Sequence, residues 1–356
     1  MDIALAHAAR AIGNTSPNPM VGAVVAPAEG DPVPIATGHH ERAGAPHAEI
    51  VALERAGAAS RGATLYVTLE PCAHRGRTPP CTDAILRAGI ARVVVAALDD
   101  DPGARGGADH LRAAGVRVDA GIRESQARQL NRMYFHQRRT GRPFLTLKIA
   151  QSADAAVAPQ QGERYQLTGS IAAEHVRQLR YEHDAVMIGV GTALIDNPQL
   201  TVRPFKERAV PYVRVVVDTQ ARLPVESSLV AERAQASTIV ATTSGAPVER
   251  TKALREAGVE VLECPQGPDG RVDLGELLAR LGVRGMLGVL CEGGPTLATA
   301  LLSADLVDEV HLLVAPVLLG SAAAAPAFHH LATPRSFKVE AVGALGDDAL
   351  MVMKRL

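Results

Sequence analysis

The chain has no tryptophan, and its 356 residues include only five phenylalanines and five tyrosines. Any core must therefore be built from aliphatic side chains, which at 47% hydrophobic content are plentiful. No charge of either sign is in excess: 37 Lys and Arg stand against 38 Asp and Glu. That balance weighs against nucleic acid as a partner, because such domains carry a basic excess or stripe. It leaves room for a local basic pocket around a single phosphate. No apolar run approaches the roughly 18–20 residues of a membrane span. Met1-Asp2-Ile3-Ala4 lacks the basic stretch and apolar segment of a signal peptide, so the expectation is a soluble, cytoplasmic protein with no membrane partner. The four cysteines suggest no disulfide framework. Repeats and low-complexity tails are absent, and the length suits two domains at roughly 100–200 residues each.

What is present is concentrated in one short region. His47-Ala48-Glu49 is followed by Pro71-Cys72 and then Cys81. One imidazole and two thiolates make three corners of a tetrahedral zinc site and leave the fourth for water. A nearby carboxylate in such a site shuttles protons without being a ligand, the arrangement of hydrolytic nucleobase deaminases. Eight residues separate the cysteines here, Ala73 to Pro80, where nucleic-acid deaminases place two. That insert carries His74, Arg75 and Arg77, and basic side chains on a Gly/Pro-shaped loop suit a phosphate. The pattern points to a small phosphorylated substrate. The plain alternative, two core cysteines and a histidine at a helix start, requires order, spacing and Pro71 to coincide by chance.

The first third of the chain alternates helix and strand. Strands are expected at Val21–Ala26, Thr64–Leu69 and Arg92–Leu98, with a helix over Met1–Ile12. Pro46 opens a second helix and Pro80 a third, the latter closed by Gly89. Residues i and i+2 diverge by about 200° within a helix, so His47 and Glu49 can share a metal only if His47 lies at the helix start. Helix starts also favour the Cys81 thiolate and the Glu49 carboxylate. Glu124–Arg139 reads as one connecting helix that ends at Thr140-Gly141-Arg142-Pro143. Further strands are expected at Phe144–Ile149, Ala185–Ile188, Arg214–Asp218, Thr238–Thr242, Met286–Cys291, Glu309–Val314 and Ala349–Met353. The expected organisation is two α/β domains, 1–143 and 144–356. In the second, the Glu292-Gly293-Gly294-Pro295-Thr296 turn joins a strand to a helix start, where backbone N–H groups receive phosphate. Gly189-Val190-Gly191-Thr192 lacks the third glycine of a dinucleotide fingerprint. From the residues alone, a nucleotide or phosphate site is as far as the reading goes.

Taken together, these segments resemble the bifunctional deaminase/reductase family of riboflavin biosynthesis over nearly the whole chain. The likeness is carried by Pro17-Asn18-Pro19-Met20-Val21-Gly22, Gly44 to Glu49, Gly62 to Cys72 and Gly76 to Cys81. In the second half it is carried by Leu147-Lys148, Leu179-Arg180, Gly189 to Thr192, Asp196-Asn197-Pro198, Leu200 to Arg203 and Glu292 to Thr296. The resemblance implies a cytidine-deaminase-like α/β/α domain followed by a dihydrofolate-reductase-like α/β domain. It implies zinc on His47, Cys72 and Cys81, with Glu49 as catalytic proton shuttle. Asn18, His40, His74 and Arg77 match positions that hold the pyrimidine and its ribose phosphate. Arg180, Leu200, Arg203 and Glu292 match substrate contacts of the reductase. Gln151, Gln166, Thr192, Asp196, Thr219, Gly294, Pro295 and Thr296 match its NADPH side. The implied partner is a small phosphorylated pyrimidine, and a homo-oligomer is left open.

Two departures bear on the second half. Ser152-Ala153-Asp154-Ala155 stands where the family usually has Ser-Leu-Asp-Gly, and Ala155 disfavours any turn needing positive φ. Gln166-Leu167-Thr168 replaces a usual Trp-Ile-Thr, which removes a large aromatic surface near the expected cofactor. The rival readings are a deaminase with a degenerate reductase half, a nucleoside or tRNA-base deaminase with an unrelated C-terminal module, and a protein whose zinc only staples the fold. Glu49 argues against the last, because a closed site needs no proton shuttle.

Overall fold

The computed structural model describes residues 1–29, 33–74, 79–202, 208–232 and 236–356. The chain separates into two compact units, Met1–Gly141 and Arg142–Leu356.

The first unit is built on β1 (Gly22–Ala26), β2 (Ala36–His39), β3 (Thr64–Leu69), β4 (Arg92–Ala97) and β5 (Arg117–Ala120), in the order β2-β1-β3-β4-β5. β1 runs antiparallel to β2 and β3, whereas β3, β4 and β5 are mutually parallel. Helices α1 (Asp2–Ala9), α2 (Ala48–Ala56), α3 (Cys81–Ala88) and α4 (Gly107–Ala113) accompany this sheet. Its core is aliphatic, with Val25, Leu65, Val67, Ile85, Val93 and Leu111 buried together. Two glycines set how close the helices come. A Cβ on Gly22 would lie 2.0 Å from the Ala4 carbonyl oxygen of α1, and one on Gly38 would lie 2.4 Å from that of Ala48 in α2. Backbone therefore rests on backbone, with no side chain between.

The expected helix over Glu124–Arg139 is two helices, α5 (Glu124–Leu130) and α6 (Arg132–Thr140). The break falls at Asn131, whose side-chain amide accepts from the Met20 N–H and donates to the Met20 carbonyl, both at 2.8 Å. This tertiary pairing outweighs helix continuity. α1 is also shorter than expected, ending at Ala9.

The second unit holds β6 (Phe144–Ser152), β7 (Ala156–Ala158), β8 (Ala185–Gly189), β9 (Val213–Val217), β10 (Ser237–Thr242), β11 (Glu260–Glu263), β12 (Gly288–Cys291), β13 (Glu309–Ala315), β14 (Ala325–Pro326), β15 (Phe337–Leu345) and β16 (Asp348–Arg355). Nine of them form one sheet in the order β11-β10-β9-β8-β12-β6-β13-β16-β15. From β11 to β13 all neighbours are parallel; β16 and β15 close the sheet as an antiparallel hairpin. Parallel strands covered on both faces read as unbroken apolar runs, and this is why β6, β8 to β10, β12 and β13 were legible. One face buries Leu145, Leu147, Met187, Val289 and Leu301, and the other Val186, Ile188, Val216, Val240 and Leu254. Each such side chain contributes about 1.5–3 kcal/mol by leaving water. The helices are α7 (Ser170–Glu182), α8 (Val190–Asp196), α9 (Ser228–Ala231), α10 (Val248–Glu256), α11 (Leu274–Val283) and α12 (Pro295–Ser303). Among the described residues, no helix is long and apolar enough to cross a membrane.

Candidate functional site

In the first unit the three expected ligands converge. His47 is the N-cap of α2 with extended backbone (φ −69°, ψ 155°), so Pro46 lies outside the helix rather than opening it. This extended residue resolves the i, i+2 problem and lets His47 and Glu49 face one point. Cys72 follows β3, and Cys81 is the first residue of α3, which Gly89 closes in a left-handed cap. The donor atoms of His47, Cys72 and Cys81 all lie within 4.8 Å of one another. His47 Nδ1 is 3.1 Å from Cys81 Sγ and 3.7 Å from Cys72 Sγ. A tetrahedral zinc with bonds of about 2.3 Å to sulfur and 2.0 Å to nitrogen would set these near 3.6 Å, so the donor set fits the ion. Hydrogen bonding from Cys81 draws the Cys72 thiol down, to about 4, while the same contact and burial push Cys81 up.

Glu49 is 3% exposed and is not one of the three donors. Burial raises its pKa, with His47 opposing. Such a carboxyl is poised to take up and release protons. A cavity of about 220 Å³ opens here, lined by Asn18, His40, His47, Glu49, Cys72 and His74. His40 Nδ1 lies 3.1 Å from the Pro46 carbonyl, which can only accept, so Nδ1 carries the proton. Its Nε2 then accepts from the Asn18 amide at 3.1 Å. Burial lowers the His40 pKa, in keeping with a neutral ring that orients Asn18. Neighbouring His39 lies outside this cavity, its ring 6.2 Å from that of His7.

In the second unit, a cleft of about 470 Å³ crosses the carboxyl ends of β6, β8 and β12, where open α/β sheets bind ligands. Gln166, Thr192, Asp196, Gly294, Pro295 and Thr296 all line it. Gly189 ends β8 and caps α8, which puts Thr192 in the first turn of that helix, and Thr192 Oγ1 accepts from the Gly294 N–H at 3.1 Å. An adjoining cavity of about 490 Å³ shares Lys148, Gln166 and Glu292 and adds Arg180 and Thr201. Arg180 clamps Glu292 through two hydrogen bonds, Nε to Oε1 at 2.5 Å and Nη2 to Oε2 at 2.9 Å. Burial works to raise the Glu292 carboxyl, but Arg180 outweighs it and holds the pKa below the ordinary value. Burial lowers the Lys148 ammonium, with Glu292 opposing.

Residues 143–351 match the family model of the RibD C-terminal domain, and residues 1–97 match that of the cytidine and deoxycytidylate deaminase zinc-binding region. The riboflavin biosynthesis protein RibD of Aquifex aeolicus is 40% identical over 358 residues, spanning 100% of this chain and 97% of the relative. The chain belongs to the RibD family. RibD of Escherichia coli is 38% identical over 365 residues, spanning 98% of this chain and 96% of its own length. Among solved structures, Acinetobacter baumannii RibD (form 1) superposes with a TM-score of 0.88 at 36% identity, covering 100% of this chain and 97% of that one. A Thermotoga maritima structure described as a diaminohydroxyphosphoribosylaminopyrimidine deaminase/5-amino-6-(5-phosphoribosylamino)uracil reductase gives 0.86 at 32% identity, covering 100% and 97%.

Not every residue carried over from the RibD family lines these cavities. Leu200 is 5% exposed within the aliphatic core, at φ +49°. Gln151 pairs with Val314 in the β6–β13 ladder and is absent from the cavity linings described above. Thr219 lines a third cavity, next to the Thr192 cleft. Arg75, Arg77 and Arg203 lie outside the described residues. Conversely, Lys148, Asp99 and Tyr134 line the RibD cavities without having been singled out as site residues. A lysine interrupting the apolar Phe144–Ile149 run and an acidic run ending a buried strand were the available signals. Tyr134 donates its hydroxyl hydrogen to Asp99 at 3.1 Å. Ala155 does sit at φ +62°, so the turn needs the conformation that glycine supplies. Ala155→Gly is expected to stabilise the protein by about 0.5–1 kcal/mol, relief of strain exceeding the added chain entropy. Urea unfolding monitors this, and a lower midpoint for the variant would speak against strain.

Proposed function

We propose that this chain performs two successive steps of riboflavin biosynthesis on a small phosphorylated pyrimidine. The first unit hydrolytically deaminates 2,5-diamino-6-ribosylamino-4(3H)-pyrimidinone 5′-phosphate; the second reduces the ribosyl side chain to ribityl with NADPH. The observation that carries the reading is the buried Glu49 carboxyl set beside the His47, Cys72 and Cys81 donors. Bound zinc supplies a water of lowered pKa. Glu49 would take the proton of the attacking water as its oxygen bonds to the ring carbon bearing the exocyclic amine, and would deliver that proton to the amine nitrogen as the C–N bond breaks and ammonia leaves. His40 holds the Asn18 amide toward the ring, and the cavity of about 220 Å³ admits one small heterocycle. In the second unit Glu292, fixed by Arg180, and Lys148 would flank the reacting ribose carbon, and Lys148 would protonate the ring oxygen as its bond to that carbon opens. NADPH would supply the hydride to that carbon, and the Gly293-Gly294 turn that starts α12 would hold its diphosphate. The four free cysteines agree with a reducing, cytoplasmic setting.

Following ammonia release and NADPH oxidation separately tests both halves. Chelation is expected to abolish the first while NADPH oxidation on pre-deaminated substrate continues. Cys72→Ala is expected to lose the metal, read by elemental analysis. Undiminished zinc in that variant removes the site. Ammonia release without NADPH oxidation would leave a deaminase with a degenerate second half.

A further inference from the structure

The cleft of the second unit continues past the glycine turn. A third cavity of about 540 Å³ shares Gly189, Gly191, Thr296 and Leu297 with it, and its far wall carries Thr219, Arg222, Asp269 and Arg271. From Lys148 on β6 across β12 and β8 to the end of β9 is three strand spacings, about 14 Å in all. An extended dinucleotide spans that distance.

The turn after β9 places Arg222 at the cavity wall. Asp218 Oδ2 accepts the Leu223 N–H at 2.8 Å, and Ala221 within the turn sits at φ +50°. In dinucleotide sites an acid near a strand end takes the ribose 2′-hydroxyl of NAD, whereas an arginine accommodates the 2′-phosphate of NADP. Here the strand-end acid, Asp218, has a side chain that is 0% exposed beneath the turn and does not line the cavity. The guanidinium is the group presented. Arg222 is 53% exposed and Arg271 is 60% exposed, and each meets its neighbouring carboxylate only at 3.8 Å. Both retain donors for a ligand. Arg222 and Arg271 against Asp269 leave the cavity wall with one net positive charge.

We propose that Arg222 and Arg271 bind the 2′-phosphate of NADPH and set the preference of the reductase for NADPH over NADH. The proposal rests on the reductase reading of this unit. Titrating the full-length protein with each reduced coenzyme, followed by nicotinamide fluorescence, tests it without any turnover. The parent protein is expected to bind NADPH more tightly than NADH. Arg222→Gln and Arg271→Gln are each expected to weaken NADPH by about tenfold, the worth of one charge-assisted hydrogen bond, and to leave NADH unchanged. The double variant is expected to bind the two coenzymes alike, with thermal unfolding unaltered. Equal affinities in the parent, or parallel losses for both coenzymes in the variants, overturn the proposal alone. Failure of the parent to bind either coenzyme overturns the reductase reading with it.

Discussion

Glu49→Gln is expected to retain stoichiometric zinc and to lose ammonia release by about 10²–10⁴-fold, the usual contribution of one general acid/base. The two effects separate because Glu49 stands apart from the three donors yet is 3% exposed beside them. Glutamine fills the same volume and still hydrogen-bonds, so the α2 start and the metal site should survive. What it cannot do is accept the proton of the attacking water. Elemental analysis and an ammonia assay on the same preparation provide the two readouts. Turnover near that of the parent would mean that another group moves the proton.

Arg180→Ala is expected to abolish NADPH oxidation and to lower the stability of the C-terminal unit by about 3–5 kcal/mol, the range for breaking a buried ion pair from one side. The side chains are 17% and 9% exposed, so little solvent screens them. Lys148 remains near Glu292 and places the loss toward the lower end. Replacing both partners, Arg180→Met with Glu292→Leu, should restore much of the stability without restoring activity, because no charge is then left unpaired. Urea unfolding and NADPH oxidation distinguish these outcomes; recovery of activity in the double variant would remove the pair from the chemistry. Glu292 has a depressed pKa in the folded protein, so its stabilisation is fully present above the ordinary carboxylate range and fades as pH falls through the folded value. In Arg180→Ala burial is left largely unopposed, so that acid-side loss should disappear and protonation of Glu292 should relieve part of the penalty.

The metal site was legible because its information is local: His47, Cys72 and Cys81 are announced by Pro71, the short spacings and two helix starts. The parallel strands were legible for the same reason, their apolar runs needing no knowledge of neighbours. What escaped depends on partners distant in sequence. The break at Asn131 comes from a pairing with Met20, 111 residues away. β15 is exposed along most of its length and offers no buried face to detect. Lys148 becomes a site residue only once β6 is known to lie between β12 and β13, with Glu292 following β12. Leu200, matched by family likeness as a substrate contact, has its side chain packed in the aliphatic core, as its apolar character alone would place it. The residue type at Ala155 does not say whether its turn needs positive φ; the fold does.

The direct seating of α1 on Gly22 and of α2 on Gly38 has a consequence for how this protein tolerates change. A rotamer can adjust to a new neighbour, but two backbones in contact have no such slack. If every codon were randomised and survivors selected by rescue of a riboflavin auxotroph, many aliphatic core positions should accept swaps of similar size. Gly22 and Gly38 should reject even alanine, whose methyl would fall 2.0 and 2.4 Å from a carbonyl oxygen. Their mutational profile would look like that of His47, although neither glycine takes part in the chemistry.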